Sequence, residues 1–258
     1  MLKRWTVFAF CFLLLLFTAG CWDRIEIEKR GFVIATAVDL IEEDEEAKES
    51  ERRATEGKPT GKFRMALTNQ MVVPGTVVEN NRGETFNMTS TGDTLFECIR
   101  EMATRSSQTP FYEHIKILII SEEVAKEAHL PSILDIFLRD HEMSRSVPVL
   151  VSEGEARDVL EIKPKNKEMN AIYLTSIVNN FFKNFGMLPE VLVGHIHEYL
   201  LLDQSFVLPR IQSSADGVKI TGSAVFQGRG DKPMVGFLGS EETEGLNIIH
   251  NDAQSGKD

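Results

Sequence analysis

Apolar segments of strand length alternate with capped helical segments through the middle of the chain, and this order restricts the fold more than any other feature. Residues 114–120 (HIKILII) form a continuous apolar run, and Ser121 follows as a helix cap with acidic residues in the next turn. Residues 147–151 repeat the strand pattern, and Ser152 and Glu155 have capping-box spacing before the next helix. Strands that alternate with helices in this way predict an α+β fold, a mixed sheet flanked by helices.

Segments on both sides extend this pattern. The strands predicted before it cover residues 31–40, 62–73 and 84–91, and a helix follows from Asp93 or Thr94. Its buried face is predicted from apolar residues at helical spacing: Leu95, Cys98, Ile99 and Met102. We also predict a helix that has Pro131 in its first turn and runs to about Asp140, helices over 168–185 and 195–202, strands over 218–227 and 233–238, and a helix from Ser240.

Two breaks in composition suggest how the chain is organised. Residues 41–61 are rich in Glu and Lys with Gly, Pro and Ser, so we interpret them as a solvated loop within the first domain. The composition changes again near Ser205. We therefore expect one domain over residues 31–205, followed by the start of a second small β-containing domain and a polar tail over 206–258.

The first twenty residues have the layout of a secretory signal. Lys3 and Arg4 precede an apolar run over residues 5–17, which is too short for a comfortable transmembrane helix. We therefore predict a signal peptide over residues 1–20. An uncleaved anchor is the alternative.

Cys21 follows Ala19 and Gly20, as in the bacterial lipobox, although Thr18 stands where that motif usually has Leu. At the first position of the mature chain, Cys21 would supply a thiol that can take a diacylglycerol thioether, and fatty acyl chains such as palmitate would anchor the protein. We expect a lipidated tether over residues 21–30 and a body on the outer face of a membrane. An ordinary signal peptide is the alternative.

Charge and motifs exclude several classes of function. The net charge of −11 argues against a nucleic-acid partner. His195 and His197 are two residues apart, which places them on nearly opposite sides of a helix and argues against a metal site. The tripeptide at 229–231 (RGD) is explained by turn chemistry. The chain has no catalytic or nucleotide-binding motif, so we predict no enzyme activity and no cofactor.

Short blocks in a specific order resemble the Ger(x)C family, the lipoprotein C subunits of bacterial spore germinant receptors. The blocks are Cys21-Trp22-Asp23-Arg24, Val38-Asp39, Thr94-Leu95-Phe96-Glu97, residues 114–123, Phe137-Leu138-Arg139-Asp140, residues 222–226, residues 236–238 and residues 242–246. Family members continue into a sizeable C-terminal domain, and this sequence ends at residue 258. We therefore expect a fragment, a truncated product or a degenerate paralogue.

The resemblance implies a non-enzymatic subunit that works in spore germination with two membrane-embedded partners, an A and a B subunit, at the inner membrane of the spore. Phe137, Arg139 and Asp140 are our candidates for a contact with those partners, since Arg and aromatic residues are enriched at binding hot spots. A helix-end salt bridge over a packed Phe explains the same residues. An extracytoplasmic solute-binding lipoprotein is the main alternative function, and a lipid-anchored hydrolase is a third.

Overall fold

The computed structural model describes residues 4–6, 30–41, 64–73, 75–77, 82–127, 130–140, 142–214, 217–228 and 234–250. The strands are β1 (Arg30–Ile41), β2 (Arg64–Val72), β3 (Thr85–Gly92), β4 (Thr109–Phe111), β5 (Ile117–Ser121), β6 (Val149–Glu153), β7 (Phe206–Ser214), β8 (Gly217–Phe226) and β9 (Met234–Leu238). The helices beyond residue 30 are α1 (Leu95–Arg105), α2 (Glu122–Glu127), α3 (Leu130–Arg139), α4 (Ala156–Glu161), α5 (Asn170–Val178), α6 (Val193–Leu201) and α7 (Ser240–Ile249), and a 3₁₀ turn covers Phe181–Lys183.

The strands form one mixed sheet in the order β3-β2-β1-β5-β6-β7-β8-β9, and β4 pairs with the beginning of β1. The central strands β1, β5, β6 and β7 are parallel, while the pairs at both margins of the sheet are antiparallel. Parallel strands are normally covered by helices on both faces, so their apolar runs are nearly continuous. The mixed sheet flanked by helices that the sequence predicts is confirmed.

Alternate residues of β5 point to opposite faces and enter two separate cores. Leu118 and Ile120 pack in the core that α1, α2, α3 and α6 cover. Ile117 and Ile119 pack in the second core, under α4 and α5. This alternation follows from the two-residue period of a strand, and it explains why the whole of β5 is apolar until Ser121.

The start of α1 is capped by side chains. The hydroxyl of Thr94 accepts the backbone N–H of Glu97 at 3.2 Å, and the carboxylate of Glu97 accepts the backbone N–H of Asp93 at 3.0 Å. Cys98 and Met102 are buried on the inner face of this helix, as the spacing predicts. Ser121 likewise accepts the backbone N–H of Val124 at the start of α2.

Two local predictions need correction. The helix predicted over 168–185 is shorter, because α5 ends at Val178 and the chain continues through a 3₁₀ turn in which Phe182 is exposed. The predicted capping box of Ser152 and Glu155 does not form, since the hydroxyl of Ser152 donates to the carbonyl of Glu155 instead.

The predicted boundary near Ser205 also needs correction. β7 runs parallel to β6, and β8 and β9 extend the same sheet beyond it. The ring of Phe206 stacks on Tyr199 of α6 at 5.6 Å and on Phe226 of β8 at 4.8 Å between centroids. The described residues after 205 therefore share the sheet and core of the residues before it.

In the part of the chain that the structure describes, no helix is both long enough and apolar enough to cross a membrane. The predicted signal peptide, the tether and the acidic loop fall almost entirely outside the described residues, as do the tripeptide at 229–231 and the tail from residue 251.

Candidate functional site

The carboxyl ends of the parallel strands β1, β5 and β6 open onto a cleft of about 540 Å³. Asp39 lies at the end of β1, Ser121 at the end of β5 and Gly154 directly after β6, and all three line the cleft. In open sheets with parallel strands, this edge is where ligands and catalytic groups usually lie. This edge of the sheet is therefore the candidate site for a ligand or for catalysis.

Asp39 uses its side chain to hold the start of α4. Its Oδ1 atom accepts the backbone N–H of Ala156 at 2.6 Å, and its Oδ2 atom accepts the backbone N–H of Arg157 at 3.0 Å. These are N–H groups that a helix cannot satisfy internally, and negative charge is favoured at this end of a helix. Asp39 therefore acts as a cap supplied by a distant strand.

Burial controls the ionisation of this carboxyl group. Desolvation raises the pKa of Asp39 above its ordinary value of 3.8, and the nearby carboxylate of Glu155 adds to this effect. The two backbone hydrogen bonds and the guanidinium of Arg157 act in the opposite direction, because they favour the charged form. The balance of these effects leaves the pKa raised.

The rim of this cleft is acidic. Its carboxylates belong to Glu122, Glu123, Glu127 and Glu155, and the ammonium of Lys126 pairs with Glu122. No group of three or more His, Cys, Asp or Glu side chains among the described residues is arranged to hold a metal ion.

A second cleft, of about 740 Å³, lies where β2 and β3 meet the connection between α4 and α5. The side chain of Gln70 joins the two layers: its Nε2 atom donates to the carbonyl of Leu160, and its Oε1 atom accepts the N–H of Ala171, each at 3.1 Å. Asn87 donates to the same Leu160 carbonyl at 3.1 Å. These side-chain amides hold the end of α4 and the start of α5 against the sheet.

The predicted contact residues at the end of α3 differ in exposure. Phe137 is 2% exposed and packs in the core, so it cannot meet a partner in this conformation, and its assignment as a contact needs correction. Arg139 has a side chain that is 79% exposed and pairs with Asp135 at 2.6 Å. Asp140 is also exposed, and its Oδ1 atom accepts the backbone N–H of Glu142.

The described cysteine is part of the core. Cys98 is buried, and its thiol lies 3.6 Å from the carbonyl of Met65. Burial raises the pKa of this thiol to about 12, so the reactive thiolate is scarce at neutral pH. Cys21, the predicted site of lipid attachment, lies outside the described residues.

Both histidines of α6 have local partners. The Nδ1 atom of His195 accepts the backbone N–H of Leu192 at 3.4 Å, and the Nδ1 atom of His197 lies 3.0 Å from a guanidinium nitrogen of Arg145. The contact of His195 lies at the start of α6, and the contact of His197 joins this helix to Arg145.

Comparison with known families identifies the family to which this fold belongs. A family model described as the spore germination protein N-terminal domain matches residues 23–213 of the chain. The chain belongs to this family. The match confirms the resemblance that the sequence blocks suggest.

Curated relatives carry the same description. Spore germination protein YndF of Bacillus subtilis strain 168 is 32% identical over 254 residues, which cover 95% of this chain and 62% of that protein. Spore germination protein B3 of the same organism is 24% identical over 260 residues, which cover 99% of this chain and 64% of that protein. The chain thus spans less than two thirds of the length of these two relatives. The crystal structure of the GerBC protein is also similar, with 18% identity, a TM-score of 0.41, and coverage of 84% of this chain and 56% of that one.

Proposed function

We propose that this chain is a non-enzymatic lipoprotein subunit of a spore germinant receptor, and that it docks onto the membrane-embedded A and B subunits. The observation that carries the proposal is the family match over residues 23–213, which includes the parallel strands β1, β5 and β6 and nearly all of β7. The relatives named above are spore germination proteins, and one of them is named B3.

The proposed location depends on the N-terminal sequence. Residues 1–20 would act as a signal peptide, and lipidation of Cys21 would leave residues 21–30 as a tether to the outer face of the spore inner membrane. The last residue of this tether, Arg30, is also the first residue of β1. An embedded partner would then meet the body at a high effective concentration.

A non-enzymatic role is supported by the groups whose pKa is shifted. Shifted ionisable groups often mark an active site. Here burial raises the pKa of Asp39, Cys98 and Tyr112, and each has a structural partner. Asp39 caps α4, the thiol of Cys98 faces a backbone carbonyl, and the hydroxyl of Tyr112 accepts a hydrogen bond from Asn69 at 2.6 Å. Packing and capping explain all three.

The outer face of α3 is our candidate for the docking surface. Asp135 and Arg139 are exposed one turn apart, while Ile133, Leu134 and Phe137 fix the opposite face of the helix in the core. An exposed pair of this kind contributes at most about 1 kcal/mol to folding. Arg139 is therefore available for a partner without being required for the fold.

The chain supplies a matched control for testing this surface. Arg105 ends α1 as Arg139 ends α3, and it pairs with Glu101 at the same four-residue spacing with a side chain that is 57% exposed. Arg139→Glu and Arg105→Glu change the charge equally and break the same kind of ion pair. We expect Arg139→Glu to reduce co-purification with the A and B subunits from spore membranes about thirtyfold, as for the loss of a hot spot worth about 2 kcal/mol.

The control should co-purify like the wild type, and both variants should keep the wild-type melting temperature. If Arg139→Glu co-purifies like Arg105→Glu, the docking surface is not on α3. If the wild-type chain recovers neither the A nor the B subunit, the receptor-subunit role is contradicted. The solute-binding alternative needs a cleft between two lobes, and the continuous sheet through β9 gives it no support.

A further inference from the structure

Two adjacent leucines project into solvent where α6 ends. Leu201 is 71% exposed and Leu202 is 58% exposed. The same helix is fixed in the core through Val193 and Ile196, which are fully buried. A single exposed leucine is ordinary on a protein surface, whereas exposed apolar residues that adjoin one another often mark a contact with another molecule or with a membrane.

The turn that carries these leucines, residues 201–205, is held in a fixed shape. The N–H of Gln204 donates to the carbonyl of Tyr199 at 3.0 Å. The N–H of Gly228, just after β8, donates to the hydroxyl of Ser205 at 3.0 Å. Gly228 lies so close to the backbone of the turn that a side chain at its position would overlap it. The leucines are therefore presented on a preformed surface, and a contact made by them requires little further ordering of the chain.

This turn lies at the amino edge of the parallel strands. Strands β1, β5, β6 and β7 run in the same direction, so they all begin at one edge of the sheet. The 201–205 turn leads directly into Phe206, the first residue of β7. The start of α6 lies at the same edge, because the N–H of Val193 donates to the carbonyl of Val147, just before β6, at 2.9 Å. Both ends of α6 therefore border the edge at which Arg30 begins β1.

The acidic cleft lies at the opposite, carboxyl edge of these strands. Asp39, near the end of β1, lines this cleft, and the carboxylates of the rim surround it. From Arg30 to Asp39 the strand extends about 30 Å, at about 3.3 Å per residue. The two edges of the parallel sheet thus differ in chemistry, since one carries exposed leucines and the other carries a group of carboxylates.

We infer that Leu201 and Leu202 insert into the interfacial layer of the membrane to which the chain is anchored, so that the amino edge of the sheet faces the bilayer. This inference rests on the proposed anchor at Cys21, from which the nine residues to Arg30 reach about 30 Å at most. Phe206 lies three strand spacings from β1, which is about 14 Å at about 4.8 Å each. The tether is therefore long enough for the leucines to meet the surface of the membrane.

Burial of the leucines and repulsion of the acidic rim favour the same orientation. Leucine is one of the residues that proteins at a membrane surface bury about 5–10 Å into the boundary between headgroups and acyl chains. Each leucine buried there favours the contact through the apolar area that it removes from water. Anionic lipids repel carboxylates, so the reverse orientation, with the acidic rim against the bilayer, is disfavoured.

The test uses the full chain with its anchor, purified from a host membrane and reconstituted in vesicles of phosphatidylcholine and phosphatidylglycerol. A fluorophore is attached at Leu202→Cys in the native state, in which Cys98 is buried. Some of the vesicles contain lipids with a nitroxide quencher on the acyl chain. Because side chains at this interface lie about 5–10 Å below the headgroup boundary, we expect quenching there to be at least about threefold stronger than at a control position on the carboxyl edge.

Phe96→Cys provides the matched control position for this label. Phe96 is 60% exposed, against 58% for Leu202. It lies in the first turn of α1, directly after β3. The last residue of β3, Gly92, pairs with Met65 of β2, which pairs in turn with Leu40 at the carboxyl end of β1. A label at Phe96→Cys should stay in water. Equal quenching at the two positions, or none at Leu202→Cys, would overturn the inference.

A further variant separates the leucines from the mere proximity of the tether. The label is moved to Gln204→Cys, in the same turn, and the chain is compared with and without Leu201→Ser/Leu202→Ser. Quenching should fall at least about threefold in the serine variant, because each buried leucine contributes about tenfold or more to the contact. Both chains should keep the same melting temperature, since the leucines are exposed. Quenching that is unchanged in the serine variant would contradict a role for these leucines.

A protein partner that covers the leucines would give a different pattern. The label at Leu202→Cys would then stay in water on lipid vesicles and be shielded only in spore membranes, which would overturn the inference. Failure of the anchor is distinguished by flotation, because the wild-type chain would then not float with the vesicles. That outcome would contradict the proposed tether and this orientation together.

Discussion

Asp39 and Ala156 lie 117 positions apart in the sequence, and the carboxylate of Asp39 accepts the backbone N–H of Ala156 at 2.6 Å. This contact ties the carboxyl end of β1 to the first turn of α4, the helix that follows β6. In the sheet, β5 lies between β1 and β6. It occupies the polar edge of the parallel sheet with a structural bond, at a place where many folds of this kind hold a ligand.

Removal of this cap should destabilise the fold. Asp39→Ala leaves the N–H groups of Ala156 and Arg157 without their acceptor, and we expect it to lower the free energy of unfolding by about 1–3 kcal/mol. Asp39→Asn keeps one acceptor oxygen and should cost less. Urea unfolding measures both, and Asp158→Asn on the exposed side of α4 should stay within about 0.5 kcal/mol of the wild type. A neutral Asp39→Ala variant would show that the cap does not contribute.

The same carboxyl group should make stability depend on pH in a defined direction. Its pKa in the folded chain is raised above 3.8, so between these two values the folded chain holds a proton that the unfolded chain has lost. The stability from protonated Asp39 is complete below pH 3.8 and is lost as the pH rises through the raised pKa. The unfolding free energy of the wild type minus that of Asp39→Asn should therefore fall over this window. A difference that grows with pH would mean that the pKa of Asp39 is lowered.

Cys98 should resist thiol reagents in the folded protein. Its burial and its pKa of about 12 keep the thiolate scarce, so alkylation mapped to the peptide that contains Cys98 should be slow until urea is added. Cys98→Ser places a hydroxyl among apolar neighbours and should destabilise by about 1–3 kcal/mol. Rapid native alkylation at Cys98 would contradict its place in the core.

Two phenylalanines test the assignment of the core. Phe137 is 2% exposed and Phe182 is 53% exposed. Phe137→Ala should lower the free energy of unfolding by about 3–5 kcal/mol, because it removes buried surface and leaves a cavity. Phe182→Ala is the matched control and should stay within about 0.5 kcal/mol in thermal or urea unfolding. Similar losses for both would mean that Phe137 is not part of the packed core.

Cys21 should carry a covalently attached lipid. Mass spectrometry of the mature protein should find a diacylglyceryl group on Cys21 as the first residue, because Ala19 and Gly20 precede it as in a lipobox. Cys21→Ser should release the protein from membranes or leave it unprocessed. A free thiol at Cys21, or cleavage at another position, would exclude the lipoprotein assignment.

Short-range patterns in the sequence were sufficient for most of the elements and for the family. The run that ends at Ser121 predicts β5 and the cap of α2, and the spacing of Leu95, Cys98 and Met102 predicts the buried face of α1. These signals depend on residues within one or two turns of each other, which is the range over which sequence acts directly on the backbone.

β7 was missed because its own residues do not have a strand pattern. Pro209 lacks an N–H group, and the register between β7 and β8 shifts directly after it. Pairing with β6 on one side and β8 on the other makes this segment a strand. For the same reason, the change of composition near Ser205 was a poor guide to the domain boundary.

The sequence alone therefore determined the local elements, the buried face of α1 and the family, because each depends on neighbouring residues or on ordered blocks. Only the tertiary structure decided that Asp39, and not Ser152, serves the start of α4, and that Phe137 is enclosed while Arg139 is exposed. These relationships depend on distances between parts of the chain that are far apart in sequence, and the packing of the whole sheet sets those distances.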